Sequence, residues 1–113
     1  MSNMMFEDAG GLLVSFRTDR DVRAGQVVKV IGNGTVAPCQ AGDLFCGVVG
    51  RSRGDRVGVQ VNGFAEVAVT LPLKLGRTEL VADGNGGVMA GEKGVAALVV
   101  DVDTVAGTAM ICL

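Results

Sequence analysis

Eighteen glycines cut this chain into short, valine-rich runs, and that punctuation constrains the fold more than any other feature of the sequence. No run keeps a 3.6-residue apolar period with a capped start and stop, so no long helix is expected. Short β-branched segments bounded by Gly, Asn and Asp read instead as strands joined by tight turns. The expected fold class is all-β.

The strand candidates are residues 12–16, 26–31, 35–39, 44–50, 57–61, 64–70, 78–82, 87–90, 95–103 and 108–113. Val57, Val59 and Val61 alternate with Gly58 and Gln60, which puts the valines on one face of a strand. Residues 44–50 are apolar throughout, as expected of a strand buried on both faces. Pro38 marks an edge strand or a strand end, because it cannot donate to a ladder. Residues 17–25 and 51–56 read as charged connections, and 71–77 as a connector with room for a helical turn.

One phrase occurs twice. Residues 28–36 read VKVIGNGTV, and residues 79–88 read ELVADGNGGV. Laid side by side, residues 25–61 and 76–113 keep step through Gly, Val and Gly-Asn-Gly positions. This suggests two pseudo-repeated hairpin units. Gly32, Asn33 and Gly34 in the first unit, and Gly84, Asn85 and Gly86 in the second, are expected to be hairpin turns. Asn62-Gly63, between two alternating runs, is a third strong hairpin signal. Neither Gly-Asn-Gly is followed by a helix or a Lys-Ser/Thr pair, so neither reads as a phosphate loop.

At 113 residues the chain has room for one modest core. Residues 1–11 show no clear period and are expected to form a flexible N-terminal arm before a single β domain over 12–113. No stretch approaches the ~20 apolar residues of a membrane helix, and the N-terminus has no secretory pattern. The chain is therefore expected to be a soluble protein made in the cytoplasm. The formal charge is −2, with acids and bases interleaved and no basic block or aromatic ladder for nucleic acid. The charge pattern reads as a solvated surface without patches.

No chemistry stands out. The chain has no histidine, and Cys39, Cys46 and Cys112 are too few and too scattered for a zinc cage or a disulfide framework. They read as buried thiols in a reducing compartment. Asp101 and Asp103 share a strand face at the spacing of a carboxylate pair, but a solvated strand end is the simpler reading. Arg53-Gly54-Asp55 spells an adhesion tripeptide where charged turn residues belong. No catalytic, cofactor or metal residue is assigned. The apolar content is high for so small a domain, which favours burial between subunits.

Residues 21–49, DVRAGQVVKVIGNGTVAPCQAGDLFCGVV, resemble the opening of small bacteriophage capsid decoration ("cement") proteins. LGRTELVADGNGGVMAG (75–91) and ALVVDVDTVAGTAMICL (97–113) resemble their closing part. The resemblance spans residues 12–113. It implies a compact β-clip, barrel or sandwich-like domain of the lambda-type head-decoration kind, acting as a homotrimer on the outside of a phage or prophage head. The implied partners are a second copy and the major capsid protein, with no cofactor, nucleic acid or membrane. It also implies an N-terminal segment that orders against the shell, with Met4, Met5, Phe6, Leu12, Leu13 and Phe16 as capsid-contact residues. The alternative is a small SAF-like module binding a ligand or carbohydrate, because DVRAGQVV also resembles the strand opening of such domains. An enzyme of the β-clip group, such as a nucleotide diphosphatase, is disfavoured because the chain has no tyrosine.

Overall fold

A computed structural model of the chain describes residues 12–113. Among them are ten strands and no helix: β1 Leu13–Thr18, β2 Val27–Gly32, β3 Thr35–Pro38, β4 Gly47–Arg53, β5 Arg56–Gln60, β6 Phe64–Ala68, β7 Gly76–Ala82, β8 Val88–Ala90, β9 Val95–Asp103 and β10 Thr108–Cys112. Strands β1-β3-β2-β4-β5 close into a barrel. The other five form a sheet in the order β6-β10-β9-β7-β8.

The two sheets have one topology. In the barrel, β5 runs antiparallel between β1 and β4, β2 lies between β4 and β3, and a parallel β1–β3 pairing closes the ring. In the second sheet, β10 lies between β6 and β9, and β7 between β9 and β8. A single parallel bridge, Val69↔Val88, then joins its two edges where the barrel has β1–β3. Equivalent backbone bonds recur: Thr18 N donates to Asp55 O at 2.9 Å, and Val69 N to Gly107 O at 2.8 Å. Val61 N donates to Leu12 O at 3.1 Å, and Leu113 N to Gly63 O at 2.9 Å. The repeat therefore takes in β1 and β6, and its units begin earlier than residues 25 and 76.

The sheets share a wall. Val27 and Val28 are both fully buried, as neighbours on a strand can be only when both faces are covered. Val28 and Val49 point into the barrel with Val22, Val36, Val57 and Val59. Val27 and Val48 point the other way, with Cys39 and Phe45, into the core lined by Leu80, Val88, Val99 and Ile111. Burying each such side chain is worth ~1.5–3 kcal/mol. Burial on both faces holds for Gly47–Val49 at the start of β4, but Leu44 before it is exposed.

Three local expectations are corrected. Asn62-Gly63 closes no hairpin. β5 already has β1 and β4 on its two edges, so the chain leaves the barrel there and starts the second sheet. Residues 51–56 are not a loop: Arg51–Arg53 extend β4, Arg56 opens β5, and only Gly54 and Asp55 turn, with Gly54 at φ 61. The connector before β7 holds no helical turn.

The Gly-Asn-Gly phrases do turn β2 into β3 and β7 into β8, in different ways. Gly34 takes φ 62 after a bulge between Val30 and Gly32. The second loop is longer and built on Asp83, whose Oδ1 accepts from Asn85 N at 2.7 Å and Gly87 N at 3.1 Å. Gly84 and Gly86 both take positive φ there. Gly86 O also accepts from Val27 N at 3.0 Å, tying this loop to the barrel.

Candidate interaction surface

Met4, Met5 and Phe6 lie outside the described residues. Of the remaining contact candidates, Leu12 and Leu13 are exposed, at 57% and 44%. Leu12 is pinned on both sides: its N donates to Asn62 Oδ1 at 2.7 Å, and its O accepts from Val61. Phe16 is not a surface residue of an arm. It faces inward from β1 and packs against the barrel core with Cys46 and Val61. The reason is the strand period, which sends Val14 and Phe16 to the side opposite Leu13, Ser15 and Arg17.

The outer faces of the two equivalent three-strand units differ sharply in charge. On β1-β5-β4, Arg17 pairs with Arg56 and Arg56 with Arg53, so three arginines stand in one cross-strand row. Arg51 lies in the next outward row, opposite Gly58 and Ser15. All four arginines are exposed. Arg51, Arg53, Arg56, Leu13, Ser15 and Gly58 line a shallow groove of ≈ 430 Å³. Like charges directly opposite one another across strands are destabilising. The expectation of a patch-free surface fails here, because the four come from three strands and meet only through the register.

The matching face on β6-β10-β9 is acidic. Glu66 pairs with Met110, which pairs with Asp101, as Ser15 pairs with Gly58 and Gly58 with Arg51. Asp103 pairs with Thr108, as Arg53 pairs with Arg56. Glu66, Asp101, Asp103, Thr108 and Met110 line a groove of ≈ 310 Å³. Asp103 also shapes the β9–β10 turn, its Oδ1 accepting from Val105 N at 3.1 Å and Ala106 N at 3.0 Å. Asp101 and Asp103 do share a face, as their spacing predicts, and Glu66 joins them from another strand.

Other groups with chemistry in reserve are used structurally. Lys29 donates to Asp43 on a half-buried site, and Asp43 Oδ2 also accepts from Gln40 N at 2.9 Å. The Lys29 bond, and then the Gln40 bond, hold the Asp43 carboxyl below its usual range. Asp43 O accepts from Ala82 N, and Gly42 N donates to Ala82 O, so this turn clips the halves together. Burial, followed by the nearby Asp43 charge, pushes the Cys39 thiol up to about 11. Burial also raises Cys46, and all three cysteines are free. Among the described residues no three acids or cysteines are grouped to hold a metal ion. No helix among them is long and apolar enough to cross a membrane.

Comparison with known protein families finds no match. Comparison with curated proteins finds none either.

Proposed function

We propose that this chain is a non-enzymatic decoration protein of a bacteriophage or prophage head, binding the outer capsid surface as a homotrimer and stabilising the expanded shell. One observation carries the reading beyond the sequence resemblance. Large aliphatic side chains stand outside two well-filled cores: Leu71 at 66% exposed, Leu75 at 68%, Leu44 at 57%, Val30 at 54% and Ile31 at 49%. A scaffold that fills two cores and still presents these apolar side chains at its surface is suited to contact other protein surfaces. Binding to the expanded head alone would stabilise that state by mass action, with no chemistry required. The site of action is the virion surface, after synthesis in the bacterial cytoplasm.

Light scattering across a dilution series, followed by co-sedimentation with expanded and unexpanded phage heads, tests this. A trimer that pellets only with expanded heads is expected. A chain that pellets with neither sinks the reading.

A second reading, a small-ligand module, draws on the groove of ≈ 600 Å³ between the halves, lined by Asp21, Arg23, Gln26, Glu66, Asn85 and Thr108. A glycan array tests its carbohydrate form, and a blank array removes that form.

A further inference from the structure

The two charged faces occupy the same place in two copies of one topology. They share strand order, register and bulge, so their backbones offer the same shape. Their charges are opposite: Arg17, Arg51, Arg53 and Arg56 on the first, and Glu66, Asp101 and Asp103 on the second. Each carries an apolar residue beside the charges in matching register, Leu13 opposite Gln60 and Phe64 opposite Cys112.

We propose that the β1-β5-β4 face of one copy docks on the β6-β10-β9 face of the next, joining copies head to tail. This rests on the self-association part of the proposed function and names the surfaces that carry it. The Arg17–Arg56–Arg53 row places three cations side by side at a cost to the folded chain, and an anionic partner relieves that cost. The chain itself supplies an acidic surface, on the same strand framework. A polyanion such as DNA is the poorer occupant, because the same molecule presents an acidic face to it and carries a net charge of −2. Asp103 stands on this face while its Oδ1 accepts from Val105 N and Ala106 N. Head-to-tail contacts use two different surfaces per copy, so they close into a ring when the rotation between copies allows it. Opposed charge also fixes the pairing, since two basic or two acidic faces repel.

The test is a charge exchange read by sedimentation velocity on the full chain. Arg51→Glu with Arg56→Glu makes both faces acidic, and Glu66→Lys with Asp101→Lys makes both basic. Circular dichroism melts check that each variant is folded. Each variant alone is expected to associate at least ~10-fold more weakly than the parent chain. An equimolar mixture is expected to recover complexes containing both. The parent chain is expected to weaken as NaCl rises from about 0.05 to 0.5 M, because exposed charges are then screened. The salt series reads the same surfaces without any substitution.

Association that survives both reversals and high salt overturns the docking surfaces while leaving an oligomer in place. A parent chain that is monomeric at every concentration overturns both the surfaces and the self-association reading. Binding of a DNA oligonucleotide by the monomeric parent, lost in the arginine variant, overturns the choice of a second copy as occupant.

Discussion

Gly50 and Val100 stand at the same structural position in the two halves. Val49 pairs with Val59 and Arg51 with Gly58, so Gly50 is passed over; Val99 pairs with Ile111 and Asp101 with Met110, so Val100 is passed over. A bulge of this kind bends its strand and re-aims the side chains beyond it. In both halves the residues beyond it are the charged ones.

The shared bulge predicts that glycine is optional at Gly50, whereas the space around Gly47 makes glycine costly to replace there. A Cβ on Gly50 would lie 2.7 Å from the Cδ2 of Leu13, the movable end of an exposed side chain. A Cβ on Gly47 would lie 2.4 Å from the backbone O of Gln60. Gly50→Ala is expected to cost under ~1 kcal/mol, and Gly47→Ala about 2–3 kcal/mol through forced backbone shifts. Urea denaturation of both variants checks the difference. Equal costs would mean that the barrel wall adapts at Gly47.

Lys93 is the one described non-glycine residue with positive φ, at 57°, in the turn that corresponds to Gly42 at 87°. A left-handed conformation costs an ordinary residue roughly 1 kcal/mol. Lys93→Gly is therefore expected to raise the thermal midpoint, because the bond from its backbone N to Glu79 Oε2 at 2.9 Å is kept. A lowered midpoint would place the Lys93 side chain in a stabilising role.

Asp43 makes stability depend on pH in a defined direction. Its folded pKa is lowered below the ordinary carboxyl value of 3.8 by the Lys29 bond and then by the Gln40 bond. Its contribution is therefore present above that value and is lost as pH falls through the lower folded one. In urea titrations between pH 5 and pH 2, Asp43→Asn is expected to flatten part of the acid loss seen in the parent. An identical slope in both would remove Asp43 from the pH response.

Cys39 should resist alkylation. With its pKa raised to about 11, little thiolate exists near pH 8, and the side chain is buried. Mass spectrometry after an iodoacetamide pulse should find Cys39 unmodified in the native chain and modified in urea. Fast native labelling would reveal local opening of the turn that Asp43 holds.

Much of the strand layout was legible from local pattern. Residues 95–103 form one apolar-rich strand as read, and the alternation over Phe64–Ala68 puts Ala65 and Val67 inside and Glu66 outside. The Gly-Asn-Gly echo points to a repeat, yet its first strands leave no echo in the sequence, because Leu13–Thr18 and Phe64–Ala68 match in pairing and not in residues. Arg51–Arg53 read as a loop because charge usually marks one. Here it marks the solvent face of a strand running past the bulge. The two faces were legible only in part for a related reason: Asp101 and Asp103 share a face by spacing, but Arg17 meets Arg56 and Arg53, and Glu66 meets Asp101, only across strands. Asn62-Gly63 misled because turn chemistry specifies a reversal and not which strands pair afterwards.

The shared wall makes the halves unequal in what each would be alone. Cutting the gene between Asn62 and Gly63 would leave the N-terminal product with every strand of its ring and its own interior, from Val22 to Val59. The C-terminal product would lose Val27, Cys39, Phe45 and Val48 from the middle of its core and would close only through Val69 and Val88. On the ribosome the N-terminal ring emerges first. The later half then has a preformed apolar floor on which to assemble, so the order of translation matches the order of structural dependence.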